Sequence, residues 1–505
     1  MELTPRNASR AERVEKRSMI AAIMFGLLFV GWVGEWPLEL DRLIYNGEKW
    51  RSPFAVFAPL FTPVPGISLF PWQIILLVLA PFCLSTSSIE RRHSREMDRA
   101  IFVSIACIAL TFLWGCVRGG SPYFAYYQVW RFLAALLIAY MLMSFVRGER
   151  DLVALGKIVI LAALIRATIC IYLFWTHIHG NIYPRPEYIT NHDDSMLWVV
   201  ATLIVSVWAL LRGGRAPWTA AALVVPYLCY AIALNNRRIA WVELGLSMPL
   251  IYMLIGPGPL RSKINKWALR ATPALLVYLV AGLGSDSAIF APVHALQTTG
   301  SNYDPSSLTR QEEARNLLHT LVDIGNPILG IGWGLPYDKA ESIWSNYSAD
   351  WVLTLYTPHN AILGLATYAG LVGVIGIWGV VPVGAYLAAR GCLGSTELVP
   401  RVAAMVALGT LTGYSVHCYG DIGLQSFPIS LIFGAALATA GKVAVWREAM
   451  LASQTVATQV GRARPTPEPL PTYRRRFAPS TQRPGPEGSH LTAKAKRTPR
   501  RPLQR

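Results

Sequence analysis

Apolar runs of roughly 18 to 22 residues recur along most of this 505-residue chain, each matching the roughly 20-residue helix that crosses a bilayer. Inside a bilayer every backbone N–H and C=O must be satisfied within the protein, which leaves helices or closed barrels. The short alternating strands of a barrel are not evident in the sequence. Charged residues make up 15% of the chain and its mean hydropathy is +0.37, against about 25% charge in an average soluble domain. The sequence therefore reads as an all-α polytopic membrane protein with about twelve transmembrane helices. They are expected near 18–36, 66–85, 99–116, 129–146, 152–174, 195–212, 218–235, 239–256, 271–284, 359–388, 401–416 and 424–442. The proline-rich stretch 37–65 reads as a partial or interfacial helix.

Lys and Arg concentrate in alternate connections: the N-terminal arm, Arg91–Arg99, Arg147 with Arg150, Arg212 with Arg215, Arg261–Arg270, Arg390 with Arg401, and the C-terminal tail. By the positive-inside bias these connections and both termini face the cytoplasm. Three divisions follow: a basic arm (1–17), a transmembrane domain (18–442) with one large outside loop (285–358) between spans nine and ten, and a tail (443–505). From Arg462 onward the tail carries twelve basic residues against Glu468 and Glu487, with few apolar ones. Such a composition predicts disorder and attraction to anionic lipid. No aromatic interleaving points to nucleic acid. Seven cysteines without a C-x-x-C pair imply neither a disulfide framework nor a zinc site.

Several polar groups break the apolar pattern. Arg166 lies within the fifth span, where an ionisable residue is either functional or paired internally. Arg237 and Arg238 enter the eighth span from the outside, against the charge bias. His192, Asp193 and Asp194 precede the sixth span, as a polar cap or a metal site. His417 and Asp421 lie in the last outside turn, where they could orient another residue or contact an acceptor. In the large loop, Thr309-x-x-Glu312 reads as a capping box. Ala314, Leu317, Leu318, Leu321 and Val322 follow at helical spacing, until Gly325-Asn326-Pro327 stops the helix. Arg310 falls on its apolar face, with Arg315 at the margin. Gly330-Ile331-Gly332-Trp333-Gly334 reads as a tight turn back to the membrane. His359 and Asn360 then open the tenth span, whose Gly370 and Gly373 read as packing positions.

Arg237, Arg238, Arg310, Arg315, His359 and Asn360 can thus meet at one membrane face. Guanidinium groups hold phosphate through forked, charge-assisted hydrogen bonds. Histidine can take a hydroxyl proton near neutral pH. Together they suit a lipid diphosphate-linked sugar presented to an acceptor hydroxyl.

His359-Asn360, nine residues, Gly370, two residues and Gly373 resemble the H-[N/S/Q]-x9-G-x-x-[G/T/Y] signature of the O-antigen ligase and polymerase superfamily. Arg238-Ile239-Ala240-Trp241 is similar to that superfamily's S-R-G-A-W segment, and Arg310 through Pro327 to Gly334 is similar to its outside loop. The similarity covers about 195–440. It implies a GT-C-like fold and an inverting, metal-independent glycosyltransferase without cofactors in the bacterial inner membrane, its active site periplasmic. His359 would be the base and Arg238 and Arg310 the diphosphate ligands, with Arg237, Arg315, Asn360 and Arg166 as further substrate contacts. The donor would be an undecaprenyl diphosphate-linked glycan. The acceptor would be lipid A core or a growing glycan, as in O-antigen ligation or exopolysaccharide polymerisation. Membrane lipid and other polysaccharide-assembly proteins would be the further partners. The pair Arg237-Arg238 departs from the single arginine of the pattern. The alternative is a lipid-linked saccharide flippase or transporter, which would carry its polar residues at mid-depth and show internal repeats.

Overall fold

The computed structural model describes residues 21–34, 61–64, 67–69, 74–76, 78–79, 81, 94–180, 189–285, 287–290, 292–293, 297, 305–339, 355–395, 397–421 and 423–463. The basic arm and the tail beyond 463 lie outside them. The chain divides into two units, Met1–Leu451 and Ala452–Arg505. The protein is an all-α polytopic membrane protein. Seven helices among the described residues are long and apolar enough to cross a membrane, against the twelve expected.

The difference has local causes. Helix α1 is described over Ala21–Val33, which is shorter than a crossing, and residues 18–20 and 35–36 of the expected first span lie outside the described residues. A two-stranded antiparallel hairpin, β1 (Phe61–Val64) with β2 (Ile67–Leu69), pairs Phe61 with Leu69 and Val64 with Ile67; of the expected second span beyond it, 74–76, 78–79 and 81 are helical and the rest lies outside the described residues, as does 37–60. Helices α2 (Arg95–Val117), α3 (Pro122–Phe145), α4 (Glu149–Leu173, continued by a wide turn to Ile178), α5 (His192–Arg212) and α6 (Arg215–Leu234) are all of spanning length. Helix α7 (Arg238–Leu254) has only 17 residues. Helix α8 (Pro259–Gly282) begins with Arg261, Lys263, Lys266 and Arg270, which dilute its apolar content.

Helix α9 (Pro305–His319) belongs to the large loop. Helix α10 (Ala361–Leu371), a wide turn (Val372–Ile377) and α11 (Val380–Gly394) form one long crossing. Helix α12 (Leu398–Gly420) is long enough, but Gly, Thr, Ser and His keep it out of the strongly apolar set. Helix α13 (Phe427–Ala463) continues past residue 442, where the sequence reading ended the membrane domain.

Short turns join α5 to α6, α6 to α7 and α11 to α12, so these helices alternate in direction. Helix α12 packs against α5, α7 and α11. The α3, α5 and α13 crossings are the most buried, as expected of helices apolar on every face. Tyr414 of α12 stacks on Phe433 of α13 with ring centroids 4.0 Å apart. The alternation brings the start of α5, α7 and α10 and the end of α12 to one end of the bundle.

The crossing that begins at Ala361 is broken at Gly370, whose φ of 57° and ψ of −147° suit glycine alone. The break opens two rungs of the helical ladder, and the glycine-rich return segment fills them. Ile331 and Gly332 donate to the carbonyls of Thr367 and Tyr368, both at 2.9 Å, while Leu371 and Val372 donate to Pro327 and Ile328 at 2.9 and 3.0 Å. Trp114 of α2 and Arg118, its C-cap, donate to the carbonyls of Gly330 and Ile331. Backbone that would otherwise lie unsatisfied at membrane depth is thereby paired. Gly332 sits so close to Gly115 that a Cβ on either would strike backbone. The expected tight turn exists, and Gly370 is both a packing position and a conformational one.

Candidate functional site

His359 stands two residues ahead of α10, whose N-cap is Asn360. The Asn360 side chain accepts the Leu363 N–H at 2.9 Å, so its oxygen holds the helix start. His359 is fixed by Glu313 of α9. The His359 backbone N–H donates to Glu313 Oε2 at 2.9 Å, and its ring Nδ1 lies 3.3 Å from Oε1. Glu313 is 3% exposed. An ionised carboxylate only accepts, so the Nδ1 proton points to Glu313 and the neutral ring keeps its Nε2 lone pair. Burial pulls the His359 pKa down, but the Glu313 hydrogen bond and charge, with Asp421 adding, outweigh burial and the opposing Arg310 and hold it above the ordinary histidine value.

Glu313 is the residue sequence reasoning missed. Glu312 drew attention as the partner of Thr309, yet α9 starts at Pro305, so Thr309 is inside the helix and is not its cap. The buried side is Glu313, Asn316, Leu317 and Thr320, at i, i+3, i+4 and i+7. Leu318 and Val322, expected on the apolar face, are exposed. The polar groups on the buried side are held by specific bonds. Thr320 Oγ1 donates to Asn316 O and accepts from the Asp338 N–H, and Thr367 Oγ1 donates to Leu317 O. The available signal was three-residue spacing: Arg310, Glu313 and Asn316 share one polar stripe.

Arg310 is half-buried, interacts electrostatically with His359, and has an Nε that is buried without a hydrogen-bond partner among the described residues. Arg315 is exposed on the other side of α9.

A second cluster lies beside the first. The turn into α7 contains Asn236 at φ 54°, a left-handed position asparagine tolerates. Asn235 clamps this turn, its Oδ1 accepting the N–H groups of Ile189 and Thr190, each at 2.9 Å. Arg237, the N-cap residue of α7, is thereby buried, while Arg238 opens the helix half-buried. Arg237 Nη2 is 3.0 Å from His192 Nε2, and His192 Nδ1 is 3.0 Å from Asp421 Oδ2. A guanidinium can only donate, so His192 Nε2 accepts from Arg237. Burial pushes the Asp421 carboxyl up, but His192, His417 and Arg237 hold it well below the usual carboxylate range. His417 Nδ1 is 2.7 Å from Glu243 Oε1, both side chains being essentially inaccessible.

Asp421 links the clusters: its charge acts on His359, His417 and Glu243 alike. Arg237 and His359 thus both lie within the field of Asp421, and Arg310 within that of His359, at one end of the bundle. Arg166 is paired within the bundle, to the Asp194 carboxylate two residues along α5 from His192. Its Nε and Nη2 each donate at 2.7 Å to the two Asp194 oxygens, with Arg166 1% exposed. This is the internally paired alternative. Among the described residues no group of three or more His, Cys, Asp or Glu is placed to hold a metal ion; Asp194 is engaged by Arg166 and His192 by Asp421. The chain matches no protein-family model, and no curated protein sequence matches it.

Proposed function

We propose that this protein is a membrane glycosyltransferase that moves a glycan from undecaprenyl diphosphate to an acceptor hydroxyl, in O-antigen ligation or polysaccharide polymerisation. The observation that carries this reading is the Glu313–His359 pair set beside Arg310 and linked through Asp421 to Arg237. In this reading Glu313 orients the ring and His359 Nε2 takes the acceptor proton as the hydroxyl attacks the anomeric carbon. The bond from that carbon to the diphosphate breaks, and the anion departs into the field of Arg310 and Arg237. A guanidinium spreads charge over a planar fork that matches phosphate oxygens. Electrostatic stabilisation of a developing anion is commonly the largest share of such catalysis. The resemblance carried by His359-Asn360, Gly370 and Gly373 supports the same donor. Charged groups gathered at one end of the bundle support transfer over transport, which calls for a mid-depth site. The charge pattern supports a periplasmic site and cytoplasmic termini in a bacterial inner membrane.

The test is glycan transfer by His359→Ala in a deletion strain. Loss of transfer with normal membrane insertion is expected; wild-type transfer would overturn the assignment of the base. The strain's own glycans distinguish the two reactions. Unattached polymer means ligation, and single repeat units mean polymerisation.

A further inference from the structure

A cavity of about 320 Å³ lies within the bundle, away from the charged network. Helices α4, α5, α12 and α13 form most of its wall, with Trp32 of α1 and the start of α6 closing it. Its wall is aliphatic and aromatic apart from Lys157, Thr410 and Thr439. It follows α12 from Val399 to Thr410, a length of about 16 Å at 1.5 Å per residue, or about half the hydrocarbon thickness of a bilayer. Water is a poor occupant, because it needs two to four polar partners. A hydrocarbon chain would recover dispersion contacts along the whole wall.

Two cations stand at the cavity. Lys157 of α4 is among its lining residues, and Arg212 lies over the ring of Trp208, another lining residue, 5.3 Å from its centroid. No carboxylate lines the cavity. Both side chains are exposed and belong to the half of the bundle opposite His359, from which lysine and arginine snorkel to the headgroups. Gly156 leaves the wall open: the nearest atom to an added Cβ is Ile204 Cγ2 at 3.8 Å.

We propose that the cavity holds one acyl chain of an anionic phospholipid from the leaflet opposite His359, with its phosphate between Lys157 and Arg212. The site is independent of the transfer chemistry. The full-length protein in nanodiscs would be irradiated with phosphatidylglycerol bearing a diazirine on one acyl chain. One adduct per chain is expected, in peptides containing residues 152–160 or 399–410. The matching phosphatidylcholine probe should label several-fold less. Gly156→Leu should cut labelling about tenfold, and Lys157→Gln should bring the two probes level. Size-exclusion elution checks that the variants are folded, with Ala403→Phe as a second filling variant should Gly156→Leu misfold. Labelling elsewhere, equal labelling by both probes in the wild type, or filling variants that label like wild type would each overturn the proposal. So would loss of the adduct on adding a polyprenyl diphosphate, which would assign the cavity to the donor's tail.

Discussion

Glu313 holds His359 at two atoms, one carboxylate oxygen on the backbone N–H at 2.9 Å and the other 3.3 Å from Nδ1. The two residues are 46 apart in sequence, so the loop helix α9 and the start of α10 are tied at the candidate reacting centre.

Glu313→Gln tests this tie. A general base works deprotonated, so the acid limb of the rate profile should lie above the ordinary histidine value in the wild type. Removing the Glu313 charge leaves burial as the larger influence, and the limb should move to lower pH. Maximal transfer should fall by about 10-fold to 100-fold. A limb that stays in place would separate His359 from the rate-controlling ionisation.

The two adjacent arginines should differ. Arg237 is buried against His192, and Arg238 is half-buried at the first position of α7. Arg237→Lys, which loses the fork, should reduce transfer more than Arg238→Lys in parallel assays on membranes with matched protein levels. The reverse order would return the donor contact to Arg238.

Arg166→Ala should leave Asp194 charged and buried, at a cost of about 3–5 kcal/mol. The double change Arg166→Leu with Asp194→Leu should recover most of that loss in thermal unfolding of the purified protein. A double variant as unstable as the single would give the pair a role beyond mutual neutralisation.

Asn360→Ala should cost about 0.5–2 kcal/mol of stability through loss of the α10 cap. KM for the donor should stay nearly unchanged, because the Asn360 oxygen is committed to Leu363 N–H. A rise in KM with unchanged melting would make Asn360 a substrate contact.

The sequence announced His359 because a polar pair ahead of an apolar run is a local signal. Arg237 was equally visible, as a basic residue on the wrong side of the charge pattern. Glu313 was hidden because its partner is 46 residues away and because the adjacent Glu312 fitted a capping box that the earlier helix start at Pro305 removes. Arg166 invited a functional reading for the same reason: Asp194, which neutralises it, lies on another helix. Among the described residues, hydropathy overcounted the crossings where a short helix, as at α7, or a basic first turn, as at α8, shares an apolar stretch with its neighbours. Only packing resolves such cases.

The return segment spliced into the ladder at Gly370 has a further consequence. Beyond it, Tyr337 donates its N–H to the carbonyl of Leu355 at 3.2 Å and Asp338 donates its N–H to Thr320 Oγ1 at 2.9 Å. The return segment, the end of the loop helix and the approach to His359 are therefore tied to one another by hydrogen bonds from the backbone. A substitution at Gly370 that removed the break would strain all three attachments together, so its effect should reach His359 without touching that residue.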